Sequence, residues 1–133
     1  MINSKITGSA VVFAGSVMIA QIAVADSHGN DFVHSRAFNG QTYVMYQDHM
    51  SLYTYDKDAP HTSNCINDCT TDWMPATLDA GTPLGENYSL FERADGTMQA
   101  AFRGQPLYRY AKDQKPGDIF GDGVDGVWRL ARP

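Results

Sequence analysis

The sequence predicts a mainly β protein built from two tandem, pseudo-symmetric antiparallel units, with one short helix in the first. Three observations carry this. Leu52-Tyr53-Thr54-Tyr55-Asp56-Lys57-Asp58 and Leu107-Tyr108-Arg109-Tyr110-Ala111-Lys112-Asp113 agree at five of seven positions. Trp73 and Trp128 repeat at the same offset, 55 residues. Asn39-Gly40 and Asp95-Gly96, strong short hairpin signals, lie 56 apart, one residue out of phase.

At the amino terminus, Lys5 precedes a stretch of mostly apolar or small residues from 6 to 24, and Ala23-Val24-Ala25 closes it as a small-x-small site. This reads as a signal peptide over 1–25, cleaved after Ala25. It leaves a single domain, 26–133, of two repeats at about 32–74 and 88–131. Loss of Lys5 moves the net charge from −5 to −6, since no acidic residue precedes Asp26. An acidic chain of this kind is poorly suited to nucleic acid or to anionic lipid surfaces.

In the first copy, strands are expected at 32–38, 42–46 and 51–55, with turns at Asn39-Gly40 and 47–49. In the second they are expected at 88–93, 97–102 and 106–110, with turns at Asp95-Gly96 and Arg103-Gly104, and a last strand at 127–131 carries Trp128. Strand alternation puts the two tyrosines of Leu-Tyr-x-Tyr on one face and the leucine on the other. Pro106 has no N–H and belongs at the start or edge of its strand. Residues 75–87, with two Pro and two Gly, form the connector. Between Asp and Trp the copies diverge. Residues 63–70 suggest a short helix with Ser63 or Asn64 as N-cap and Pro75 beyond its end, whereas 116–126 is a Gly-Asp loop without helical period.

Tyr53-x-Tyr55-x-x-Asp58 and Tyr108-x-Tyr110-x-x-Asp113 both fit a Tyr-x-aromatic-x-x-Asp pattern, followed by Trp73 and Trp128. With these motifs the chain resembles the bacterial family of secreted repeats and predicted lipoproteins named for that pattern, from about residue 41 to the end. The resemblance implies an exported tandem-repeat protein and carries over no catalytic residue. Many members are lipoproteins, but no cysteine stands near the cleavage point here. A soluble periplasmic form, without stable membrane insertion after cleavage, is therefore expected.

Cys65 and Cys69, the only cysteines, are expected to form a structural disulfide in an exported chain. A metal site is the alternative: His61, Cys65 and Cys69 would stack on one helix face, and Met45, His49 and Met50 form a second soft-ligand group suited to copper. Asp118, Asp122 and Asp125 offer oxygen ligands for calcium, but without the EF-hand order. Asp58 and Asp113 read first as loop-closing caps and second as a carboxylate pair for hydrolysis. Tyr53, Tyr55, Tyr108, Tyr110, Trp73 and Trp128 read first as packing and second as an aromatic cleft. No catalytic motif is present. The expectation is a noncatalytic binding or interaction module for an unknown periplasmic protein or small ligand, with no required cofactor. A metal-binding or redox accessory protein and a small hydrolase are the alternatives.

Overall fold

Asn39 and Gly40 both take positive φ, 49° and 78°, the backbone that a two-residue type I′ turn requires. Strands β1 (Val33–Phe38) and β2 (Gln41–Tyr46) close over it, from Phe38 opposite Gln41 to Val33 opposite Tyr46. The structure is a computed structural model that describes residue 15 and residues 32–133. The predicted signal segment and its cleavage point lie outside the described residues. Among the described residues, no helix is long and apolar enough to cross a membrane.

The chain continues through β3 (Tyr53–Tyr55), a single helical turn α1 (Cys69–Asp72), and β4 (Trp73–Pro75). A second hairpin follows, β5 (Tyr88–Glu92) with β6 (Met98–Phe102), Tyr88 opposite Phe102. Its turn is longer than Asp95-Gly96 alone suggested. Only Gly96 has positive φ (84°), its N–H donates to Arg93 O at 2.9 Å, and Asp95 Oδ1 accepts from the N–H and hydroxyl of Thr97. The turn with two positive-φ residues falls at Arg103-Gly104 (48° and 83°), which joins β6 to β7 (Gln105–Pro106). β7 is the edge of a three-stranded sheet, where the missing Pro106 N–H removes no ladder bond.

The last elements are β8 (Tyr108–Tyr110), a 3-10 turn at Val124–Gly126 and β9 (Trp128–Leu130). Four short strands make the central antiparallel sheet in the order β4-β8-β3-β9. Tyr53 faces Tyr108 at its middle, so a pseudo-dyad passes between them. Trp128 sits opposite Tyr55, and Trp73 opposite Tyr110. Each copy's tryptophan strand therefore pairs with the other copy's Tyr-x-Tyr strand. Each Tyr-x-Tyr strand is thereby flanked on both edges by strands of the other copy.

Each hairpin joins the sheet through a closed ring of three backbone bonds. Val44 N donates to Ala131 O, Ala131 N to Leu52 O, and Leu52 N to Val44 O, at 2.8, 2.9 and 3.0 Å. Ala100, Ala76 and Leu107 repeat the ring at 2.8, 3.0 and 3.0 Å. All six residues are buried, so the rings satisfy peptide groups that water does not reach. Strand alternation then divides the core. Tyr53, Trp73, Tyr108, Tyr110 and Trp128 fill one cluster, while Leu52 and Leu107 fill the other with Val44, Ala100 and Phe102.

The helix is shorter than expected and is not capped by Ser63 or Asn64; Asp68 precedes it. Asn67 takes φ 55°, which an α-helix does not accommodate. The preceding backbone is also engaged elsewhere: Asn64 N donates to Asp58 Oδ1, and Cys65 O accepts from Arg93. Consequently His61, Cys65 and Cys69 do not share a helix face.

Gly121 lies under the aromatic cluster, where an added Cβ would stand 2.7 Å from Trp73 Cη2 and 2.8 Å from Tyr53 Cε1. Gly121→Ala is expected to destabilise the fold by about 1–3 kcal/mol through overpacking. Gly85→Ala, whose Cβ would meet only Tyr88 Cδ2 at 3.8 Å, is expected to stay near wild type. Urea denaturation of the two variants checks the difference.

Candidate functional site

Four rings stack through the centre of the molecule in the order Tyr55, Trp128, Trp73, Tyr110. Centroid separations are 4.3, 3.8 and 4.2 Å, and the two indoles are nearly parallel at 3°. Tyr53 meets Trp73 edge-on, as Tyr108 meets Trp128. Aromatic contacts of this kind add about 0.5–1.5 kcal/mol each beyond burial. Two bonds cross the dyad beside the stack. Tyr53 donates to Asp113 Oδ2 and Tyr108 donates to Asp58 Oδ2, both at 2.6 Å. Each carboxylate also holds its own loop: Asp58 Oδ1 accepts from Asn64 N, and Asp113 Oδ1 from Phe120 N.

At one place the copies exchange apolar for polar chemistry. Phe38 on the first hairpin lies against Gly117 of the Gly-Asp loop. At an offset of 55 the second hairpin carries Arg93, 9% exposed, against the cysteine loop. Its Nη1 donates to Ser63 Oγ and Gln99 Oε1, both at 2.7 Å, and Nη2 donates to Cys65 O at 3.1 Å. Gln99, fully buried, stands where the first copy has Tyr43, and its Nε2 donates to Leu107 O. Ser63 Oγ lies 2.5 Å from Tyr108 OH. Because Tyr108 donates its proton to Asp58, the serine donates to the tyrosine oxygen. A relay thus runs from guanidinium through two hydroxyls to carboxylate.

Above Arg93 the cysteine loop and the β5–β6 hairpin enclose a groove of about 540 Å³, within the range of small-ligand sites. Its lining includes the buried Arg93 and Phe91, the half-buried Ser63 and Thr70, the exposed Ile66, and Glu92 and Asp95, both exposed on its solvent side. Ile66 is 52% exposed, an apolar side chain left in solvent at the mouth. Among the described residues no carboxylate makes an ion pair with Arg93. The groove therefore combines a buried cation with a mixed lining in which Ile66 and Phe91 are the large apolar side chains.

The model of the family described as a secreted repeat of unknown function matches residues 39–77 and 89–132. The chain belongs to this family. The two matched segments correspond to the two structural copies, so the secreted repeat is the unit that exchanges its tryptophan strand. No curated protein and no solved structure matches the chain.

In this secreted-repeat protein Cys65 and Cys69 are joined as a disulfide, with Cα atoms 5.3 Å apart and no free cysteine among the described residues. Their sulfurs are therefore not available as thiolate ligands. The remaining soft-ligand residues are dispersed. Met45 is buried in the core, His49 is exposed at φ 65°, Met50 is half-buried, and His61 Nε2 lies 2.9 Å from Ser89 Oγ of the second copy. Asp118 Oδ2 accepts from Gln114 N and Lys115 N, and Asp122 binds Leu130 N and Arg132, so loop contacts engage both. Among the described residues no three His, Cys, Asp or Glu side chains gather to hold a metal ion. Arg93, Gln99 and Ser63 were missed from sequence. The signal was the 55-residue offset carried back into the hairpins, which sets Arg93 against Phe38.

Burial raises the Asp113 carboxyl above the ordinary 3.8, outweighing the lowering by Tyr53 and Phe120 N. Arg129 lowers Asp56 below the same value. For Asp113 the folded state binds the proton more tightly than the unfolded chain. Its contribution is present below 3.8 and is lost as pH rises through the folded pKa; the Asp56 contribution is instead lost as pH falls below 3.8. Across urea titrations from about pH 3 to 7, the stability of wild type relative to Asp113→Asn is expected to decline as pH rises. Relative to Asp56→Asn it is expected to increase as pH rises. Equal slopes in the two series would contradict this assignment.

Proposed function

We propose that this protein is a noncatalytic periplasmic binding module, released by cleavage after Ala25, that takes a small ligand in the groove above Arg93. The observation that carries the reading is the buried guanidinium. Burying a charge is costly unless it is matched. Among the described residues Arg93 hydrogen-bonds neutral acceptors, with no carboxylate in direct contact, although the related position in the first copy is an apolar Phe38. Packing alone does not require the exchange. The disulfide and the Tyr108–Asp58 bond fix the facing wall, which favours a pre-formed site.

A screen of small charged organic compounds by ¹⁵N-HSQC on residues 26–133 tests this. Hits are expected to perturb amides of Ile66, Asn67, Thr70 and residues 91–95, and Thr70→Trp, which fills the groove, is expected to abolish them with the fold intact. No hit in the groove, or hits unaffected by Thr70→Trp, would remove the proposal.

A second reading, copper binding by the first hairpin, is favoured by one contact: the His34 ring lies edge-on to His49 with centroids 5.3 Å apart. Met50 follows His49 directly, and imidazole with thioether suits Cu(I). Under this reading the protein takes up one equivalent of Cu(I) and His49→Ala abolishes it. A chelator competition that shows no uptake by wild type rejects it.

A further inference from the structure

The charges around the groove define its ligand more narrowly than shape does. A guanidinium offers five N–H donors, and the neutral partners of Arg93 account for three. Asp58 and Asp95 lie within the field of Arg93, but among the described residues no carboxylate pairs with it directly. The remaining donor capacity suits a ligand carboxylate, which an arginine fork binds with charge-assisted bonds. The rim has the opposite sign. Glu92 and Asp95 are both exposed and line the same groove. Asp95 Oδ1 is held by Thr97, which keeps this carboxyl ionised and fixed in place. The same groove is lined by Phe91 and by Ile66, whose side chain is largely exposed to solvent.

A simple anion would meet Glu92 and Asp95 on the way in, and a simple cation would meet the buried Arg93. A molecule carrying both charges satisfies both ends. We propose that the groove binds a small apolar zwitterion of the amino-acid or dipeptide class. Its carboxylate lies on Arg93, its ammonium faces Glu92 and Asp95, and its side chain rests on Ile66 and Phe91. This rests on the reading of the groove as a small-ligand site and adds the ligand class.

The test compares leucine and leucylleucine with N-acetylleucine, which lacks the ammonium, and leucinamide, which lacks the carboxylate, by ¹⁵N-HSQC titration of residues 26–133. At least one zwitterion is expected to shift groove amides and to bind about fivefold or more tightly than either analogue, the scale of a partly screened ion pair. Glu92→Gln with Asp95→Asn, two exposed positions, is expected to bring leucine binding down to the level of N-acetylleucine. If either analogue binds as tightly as the zwitterions, or if the double variant binds leucine unchanged, the zwitterion assignment is overturned while the groove remains a binding site. If none of the four shifts the groove but other compounds do, the ligand class again fails alone. Silence from every compound in both series overturns both.

Discussion

The pairing of Tyr53 with Tyr108 at the middle of the central sheet governs the rest of the structure. With the two Tyr-x-Tyr strands side by side, each has one free edge, and the strand that fills it comes from the other copy. This crossing brings the two indoles face to face at 3.8 Å and places each Tyr53 or Tyr108 hydroxyl on the carboxylate of the opposite copy. A hydrogen bond to a charged group contributes about 1.5–3 kcal/mol, and here two of them also anchor the long loops. The copies are thus one folding unit. A single copy would leave its Tyr-x-Tyr strand without a tryptophan strand and its aspartate without a tyrosine.

Duplication on such a scaffold separates support from specialisation. The stack, the backbone rings and the crossed Tyr–Asp bonds recur in both halves, because each is needed to close the same core. The places that differ are those the core does not constrain: the loop between Asp and Trp, and the hairpin face that covers it. In one half Phe38 lies on Gly117 and the fit is apolar. In the other, Arg93, held by Gln99, meets a cysteine-bridged loop, and a groove lies between that loop and the hairpin. The arginine charge is tempered through Ser63 and Tyr108 by Asp58, so the structural lock and the groove share one hydrogen-bonded chain.

Several features followed directly from the residues. Asn39-Gly40 has the conformational freedom for a type I′ turn and makes one, and Leu52 and Tyr53 alternate into separate clusters as strand period requires. The helix was less readable, because Asn64 and Cys65 carry polar backbone groups that tertiary partners claim ahead of a local ladder. The strand at Trp73 was also missed. Trp-Met-Pro is too short to declare itself, and its partner lies 35 or so residues away on the other copy.

The sequence by itself determined the duplication, the β character, the alternation of faces and membership of a secreted-repeat family, since these follow from local periodicity and a fixed offset. Only the tertiary structure decided which copy each tryptophan strand joins, which tyrosine meets which aspartate, and that Arg93 lies buried beneath a groove. Those outcomes depend on contacts between residues far apart in the chain, from 28 residues for Arg93 with Cys65 to 77 for Tyr53 with Leu130. Local residue preference carries no record of the partner across such distances; the packing of two copies into one core supplies it.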